Sequence, residues 1–171
     1  LRPSRSSRRT WVTRAKRPEI RSPTFRVPDV SKRAADKAAN RLNTGPVGRI
    51  SPYLLYEDGS AAIDFLTNAF GFEEVMRMDE GGVVNHAEVR LGDDTVMLGY
   101  PGEDYKNPRK ADHATALVHV YVDDVDMHFE RAKAAGAEIV MEPTDQEYGD
   151  RRYDAKDPEG HFWSFATPLD G

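Results

Sequence analysis

Two histidines and a glutamate are the residues of this chain best suited to chemistry. His86 and Glu88 are two positions apart in a predicted strand, so they lie on the same face of it. His119 lies in a second predicted strand with the same alternation. Two imidazoles and a carboxylate on neighbouring strands can hold a divalent metal ion, and His119 or Glu88 can also act as a general base. A hydrogen-bonded structural role is the more common one for such histidines, and the metal site is the alternative to it.

Aromatic residues follow the same alternation and indicate a surface for a planar ligand. Tyr53 and Tyr121 are predicted on the faces that carry the histidines, and Phe162 adds a third ring. Rings arranged in this way bind flat organic molecules, and the alternative is that they serve packing alone.

Arg151 and His161 lie beside a predicted turn near the end of the sequence. We expect Arg151 either to pair with Asp150 or Asp157 or to contact an anionic ligand. We expect His161 to hydrogen-bond to the backbone, with ligand contact as the alternative.

A repeated order of elements positions these side chains. The strands predicted over 51–58 and 117–124 are 66 residues apart, and each ends in acidic residues suited to cap a helix. An apolar helical stripe follows each strand and stops at Gly71 or Gly136, which we expect to be left-handed caps. Three further strands follow each helix, over 74–79, 84–91 and 95–100 in the first half and over 138–143, 151–156 and 162–167 in the second.

The pattern predicts an α+β fold of two tandem βαβββ modules. The modules span 49–100 and 115–168 within a domain of 49–171. A single copy makes a poor core, so each module must pack against the other. The polar segment 101–114 joins them, and loops of this length are usually mobile or functional. It is therefore a linker or a lid.

The segment from Tyr148 to Ala166 contains the most specific motif. Its Asp157-Pro158-Glu159-Gly160 run is typical of a tight turn, and aromatic residues alternate on both sides of it, which predicts a hairpin. Trp163 and Phe165 occupy the face of the last strand that we expect to pack beneath the helices.

This hairpin, the His86-Ala87-Glu88 triplet and the paired modules together resemble the vicinal oxygen chelate superfamily. That superfamily includes glyoxalase I, bleomycin-resistance proteins and extradiol dioxygenases, and the chain is most similar to its PhnB-like branch. The resemblance implies metal ligands on the first and last strand of each module, which by counting fall on Ser51, Met97, Leu117 and Ser164. These side chains are poor ligands for a divalent ion, so we expect no metal and no other cofactor.

Charge divides the chain into two parts. Residues 1–49 carry fourteen Lys and Arg against three Asp and Glu, whereas residues 50–171 carry ten against twenty-six. We expect residues 1–48 to be a disordered basic extension, with an organelle transit peptide and a nucleic-acid-binding arm as the alternatives. Nucleic acid is not the expected partner, because only Trp11 and Phe25 could stack on bases. No apolar run is long enough to cross a membrane, and the absence of cysteine fits the cytoplasm.

The sequence therefore predicts a metal-free protein that captures a small organic ligand, cationic or aromatic, in a concave cleft. The resemblance implies a homodimer of the resistance type. The predicted ligand-binding residues are Tyr53, His86, Glu88, His119, Tyr121, Arg151, Phe162 and Ser164. The alternative is a lyase, isomerase or dioxygenase that uses His86, Glu88 and His119, with or without a metal.

Overall fold

The computed structural model describes residues 50–169, and the predicted basic extension lies outside the described residues. The first module contains the strand β1, the helix α1 and three further strands. Their bounds are β1 Tyr53–Leu55, α1 Gly59–Phe70, β2 Glu73–Glu80, β3 Val83–Leu91 and β4 Asp94–Gly99. The strands form one sheet in the order β1-β4-β3-β2, in which β1 and β4 are parallel and the other pairs antiparallel.

The second module repeats this arrangement after a short helix, α2 Pro108–Ala111. Its elements are β5 Leu117–Tyr121, α3 Val125–Ala134, β6 Glu138–Asp145, β7 Asp150–Lys156 and β8 Phe162–Pro168. The sheet order β5-β8-β7-β6 matches that of the first module, again with one parallel pair. The prediction of two tandem βαβββ modules is confirmed.

The signals that begin α1 and α3 and end α1 act as the sequence predicts. The Asp58 carboxylate accepts a hydrogen bond from the backbone of Ala61 at the start of α1, and Asp124 does the same at the start of α3. Gly71 ends α1 in the left-handed conformation, with φ of 78°. The cap of α3 is Ala135 with φ of −83°, not Gly136 as predicted; Gly136 comes directly after it and has the left-handed backbone, with φ of 89°.

The core joins the two modules through aromatic rings. Phe70, the last residue of α1, contacts Trp163 and Phe165 of β8 with ring centroids 5.5 and 4.8 Å apart. All three side chains are completely buried. Trp163 and Phe165 therefore pack on the helix side of their sheet, as predicted.

The other face of each sheet is left uncovered by its helix, and we call it the open face. Strand pairing places Tyr53, Met97 and His86 on the open face of the first sheet, together with Glu88 and Gly99. The open face of the second sheet carries His119, Tyr121, Asp154, Phe162 and Ser164.

Strand β1 is shorter than the predicted strand 51–58. It ends at Leu55, and the next side chain, that of Tyr56, is buried in the core with 1% exposure. The Tyr56 hydroxyl donates a 2.7 Å hydrogen bond to Asp157 of the second module. This contact joins residues 101 positions apart and ties the end of β1 to the second module.

Candidate functional site

A pocket opens between β1, the segment around α2 and the start of β8. Its volume is about 260 Å³, slightly below the roughly 300–1,000 Å³ of typical small-molecule sites. Three aromatic side chains line it, those of Tyr53, Tyr105 and Phe162. A site of this size and lining suits one flat ring system, or one end of a larger molecule.

Tyr53 reaches the pocket because a glycine lies beside it on β4. A Cβ atom at Gly99 would be 2.5 Å from the Tyr53 hydroxyl oxygen, much closer than unbonded atoms approach. Any other residue at position 99 would therefore displace the Tyr53 ring.

Tyr53, His86 and Glu88 form a chain of polar contacts on the open face of the first sheet. The Tyr53 hydroxyl lies 3.0 Å from Nδ1 of His86, and Nε2 of His86 lies 3.4 Å from Oε1 of Glu88. Burial, with a smaller effect from the charge of Glu88, raises the pKa of Tyr53. Tyr53 therefore keeps its proton at neutral pH, and its hydroxyl is a neutral group and not a base.

The segment between the modules forms one side of the pocket and is anchored to the first module. The Tyr105 hydroxyl donates a 3.3 Å hydrogen bond to the Leu55 carbonyl. The backbone N–H of Asn107 donates to the carboxylate of Glu57 at 3.0 Å, and the Lys110 ammonium pairs with the same carboxylate. Tyr105 is thus held over the end of β1.

The same segment is also anchored to the second module. The Arg109 guanidinium donates to the Pro158 carbonyl and to the Glu138 carboxylate, each at 2.7 Å. The backbone N–H of Arg109 donates to the carbonyl of Glu159 at 2.9 Å. Gly160 permits this approach, because its φ is 86° and a Cβ there would lie 2.8 Å from the Arg109 nitrogen.

A buried carboxylate organises the turn that leads into the pocket. Asp157 is 1% exposed, and its Oδ2 accepts hydrogen bonds from the Tyr56 hydroxyl at 2.7 Å and the Trp163 indole at 3.2 Å. Its Oδ1 accepts from the backbone N–H of His161 at 3.0 Å, and the His161 imidazole is 3.3 Å from Oδ2. The predicted contact of the His161 side chain with backbone is therefore wrong, because the Asp157 carboxylate takes its place.

These contacts also control the ionisation of Asp157. Burial acts to raise its pKa, but the hydrogen bond and charge of His161, followed by the donors of Tyr56 and Trp163, outweigh burial. The pKa of Asp157 consequently lies below its ordinary value, and the group is ionised at neutral pH.

The predicted residues of the second sheet form a separate cluster. Nδ1 of His119 lies 3.2 Å from the hydroxyl of Ser164, and the Tyr121 hydroxyl donates to Asp150 at 3.1 Å. Ser164 is only 1% exposed, so its hydroxyl is inaccessible to a substrate as a nucleophile. Of the eight predicted ligand-binding residues, Tyr53 and Phe162 line the pocket. The other six do not, namely His86, Glu88, His119, Tyr121, Arg151 and Ser164.

Arg151 lies on the opposite face of β7 from this cluster. Its guanidinium binds Asp126 of α3, with distances of 2.8 and 2.9 Å, and Asp145 of β6 at 2.7 Å. The predicted pairing with Asp150 or Asp157 is therefore wrong. Strand alternation turns Arg151 towards α3, away from the open face that carries Asp150.

Sequence reasoning missed the pocket residues of the segment between the modules. Tyr105, Lys106 and His113 line the pocket, although the sequence treats 101–114 as a linker or lid. The unusual length of that segment was the available signal.

The four positions at which the family resemblance implies metal ligands carry side chains that do not suit a divalent metal ion. Met97 offers a thioether and Leu117 no donor atom, while Ser164 is buried against His119. The alternative metal-binding set of His86, Glu88 and His119 is not placed to hold a metal ion either. Among residues 50–169, no group of three or more His, Asp or Glu is placed to hold a metal ion.

The pairing of the two modules agrees with the comparison to protein families. The model of the Glyoxalase/Bleomycin resistance protein/Dioxygenase superfamily matches residues 48–165. The chain belongs to this superfamily. The prediction from the closing hairpin is confirmed at this level, and the PhnB-like branch stays a prediction.

The chain can be aligned over most of its length with other proteins. Rv0887c, an uncharacterized protein of Mycobacterium tuberculosis, is 36% identical over 134 residues, which cover 75% of this chain and 78% of Rv0887c. The crystal structure of TioX from Micromonospora sp. ML1 is 38% identical with a TM-score of 0.60, over 71% of this chain and 99% of TioX. TnmS3, an antibiotic binding protein from Streptomyces sp. CB03234, is 16% identical with a TM-score of 0.52, over 72% of this chain and 98% of TnmS3.

No helix among residues 50–169 is long and apolar enough to cross a membrane.

Proposed function

We propose that this protein captures a small organic molecule with a planar ring and holds it without transforming it. The observation that carries the proposal is the pocket of about 260 Å³ lined by Tyr53, Tyr105 and Phe162. Aromatic side chains of this kind bind a flat ring through its faces and edges, and a few polar groups orient it. Tyr53 supplies one such group, since its hydroxyl stays protonated.

The side chains around the pocket support binding more than catalysis. Tyr53 is not poised as a base, and the Ser164 hydroxyl near His119 is buried. The residues at the counted ligand positions are poor metal ligands, so the proposal requires no metal. TnmS3 has the same fold and is an antibiotic binding protein, which illustrates a use of the fold but, at 16% identity, supports nothing finer.

The proposal includes a homodimer in the cytoplasm. Leu117 is 54% exposed and Tyr121 59% exposed on the open face of the second sheet. Apolar area of this kind is a candidate surface for a second copy of the chain. His86, Glu88, His119 and Tyr121 stay predicted ligand contacts in such a dimer.

Titration with 2-naphthamide, a neutral planar probe, tests the capture. Calorimetry with the full chain should show one site, and Tyr53→Ala should weaken it about fivefold through loss of about 1 kcal/mol of ring contact. Gly99→Ala should weaken it comparably, because the added Cβ displaces the Tyr53 ring without removing it.

Tyr148→Ala is the matched control, since Tyr148 is 63% exposed and does not line the pocket. Unchanged affinity in both Tyr53→Ala and Gly99→Ala, or no binding by the wild type, would refute capture in this pocket.

A further inference from the structure

The pocket lining carries basic groups and no acidic ones. Lys106, His113 and His161 line it together with the aromatic rings, and none of the lining residues is Asp or Glu. Residues 50–171, in contrast, contain ten Lys and Arg against twenty-six Asp and Glu. The pocket lining thus contains one ammonium group and no carboxylate, in contrast to the acidic domain that contains it.

The carboxylates beside the pocket are already bound to partners. Glu57 accepts hydrogen bonds from the Lys110 ammonium and the Asn107 backbone. Glu159 accepts hydrogen bonds from the backbone N–H groups of Glu57 and Asp58, at 2.9 and 2.8 Å. These acidic groups are therefore poorly placed to receive a cationic ligand.

Lys106 differs from the other lysines of the described domain. Lys110, Lys133 and Lys156 each lie within 4.0 Å of a glutamate oxygen. No ion pair of Lys106 occurs within residues 50–169, and the residue is exposed and lines the pocket. Its ammonium group is available to an anion that enters beside it.

We propose that the captured molecule is an aromatic acid, with its ring against Tyr53, Tyr105 and Phe162 and its anionic group beside Lys106. This inference rests on the proposed capture function and names its ligand class. It reverses the cationic preference suggested by net charge. Lining groups contact the ligand directly, whereas the field of distant carboxylates is screened over about 8 Å at physiological ionic strength.

Three probes with one ring system separate charge from shape. They are 2-naphthoate, 2-naphthamide and 2-naphthylmethylammonium, which are anionic, neutral and cationic at pH 7.5. Calorimetry with the full chain should show 2-naphthoate binding about fivefold more tightly than the amide, with the ammonium weakest. The 2-naphthoate affinity should fall as NaCl is raised, while that of the amide should hold.

Lys106→Met removes the charge and keeps much of the side-chain length. It should bring 2-naphthoate to within about twofold of the amide, because the loss of charge weakens 2-naphthoate binding more than amide binding. Lys133→Met is the control, because it removes a lysine of α3 that does not line the pocket, and it should preserve the preference.

Amide binding equal to or tighter than naphthoate binding, or a Lys106→Met effect of the same size on both probes, would overturn the acid preference while leaving capture intact. Failure of all three probes to bind would overturn the capture function as well.

Discussion

Asp157→Asn probes the polar centre that connects the two modules beside the pocket. In the wild type, Oδ1 accepts from the backbone N–H groups of Glu159 and His161, each at 3.0 Å. Oδ2 accepts from Tyr56 and Trp163. An asparagine can keep the first two bonds through its oxygen, but its amide nitrogen then faces the Tyr56 hydroxyl and the Trp163 indole. The Tyr56 hydroxyl can rotate to accept, whereas the indole can only donate.

The expected cost at pH 7 is about 3 kcal/mol of unfolding free energy. The Trp163 N–H, in a completely buried side chain, is left without an acceptor, which costs about 1–3 kcal/mol. The bonds that remain lose their charge assistance, which accounts for about another 1 kcal/mol. Urea unfolding followed by circular dichroism should show a midpoint lowered by about 1.5 M for a slope near 2 kcal/mol/M.

Tyr56→Phe is the matched variant, because it removes one donor and leaves the carboxylate ionised with its other partners. It should cost about 1.5 kcal/mol, roughly half the effect of Asp157→Asn. An Asp157→Asn variant within 0.5 kcal/mol of the wild type would refute the central role of this carboxylate.

Acid provides a second test of the same group. The folded pKa of Asp157 lies below that of the unfolded chain, so its contribution is complete above about pH 4 and is lost as the pH falls through the folded value. The difference between wild type and Asp157→Asn should therefore shrink on acidification. A difference that stays constant down to about pH 2 would contradict the assignment.

Three further predictions concern other parts of the domain. His128 contacts the Tyr153 hydroxyl at 2.7 Å and the Phe70 carbonyl at 3.0 Å, and burial lowers its pKa. The unfolded chain therefore binds the proton more readily, so thermal stability should fall as the pH drops below about 6.5. The His128→Gln variant should show a smaller fall. Gly71→Ala and Gly136→Ala should each lower the unfolding free energy by about 1 kcal/mol in urea unfolding. The loss should be larger for Gly71→Ala, because its Cβ would also lie 2.8 Å from a side-chain nitrogen of Arg131. An unchanged unfolding free energy at both sites would contradict the left-handed assignment. Protein purified without chelator should contain far less than one metal ion per chain by mass spectrometric metal analysis. One metal ion per chain that is lost in a His86→Ala, His119→Ala double mutant would favour the enzyme alternative.

The sequence predicted the order of elements because the signals for them are local. Alternation over a few residues marks the strands, and an acidic cap and a glycine stop bound the first helix at Asp58 and Gly71. The same local pattern placed Trp163 and Phe165 in the core. Each of these features depends on residues a few positions apart, so no knowledge of the packing was needed.

Side-chain partners could not be predicted in the same way. Arg151 was expected to bind a neighbour in the sequence, yet it binds Asp126, 25 positions away on α3. Strand alternation predicts which face of the sheet carries a residue. Which side chain the residue meets on that face depends on how a helix packs against the sheet. His161 differs, because its imidazole meets Asp157 only four positions away; which group it meets there depends on the geometry of the turn.

The sequence by itself determined that the chain has two βαβββ modules, which residues face their helices, and that the counted metal positions hold poor ligands. Only the tertiary structure decided which residues meet at the pocket. Tyr53 and Phe162 come from different modules, and Tyr105 and Lys106 from the segment between them. Their convergence depends on long-range contacts, such as that of Tyr56 with Asp157, whose free energy is gained only once both modules have folded and docked.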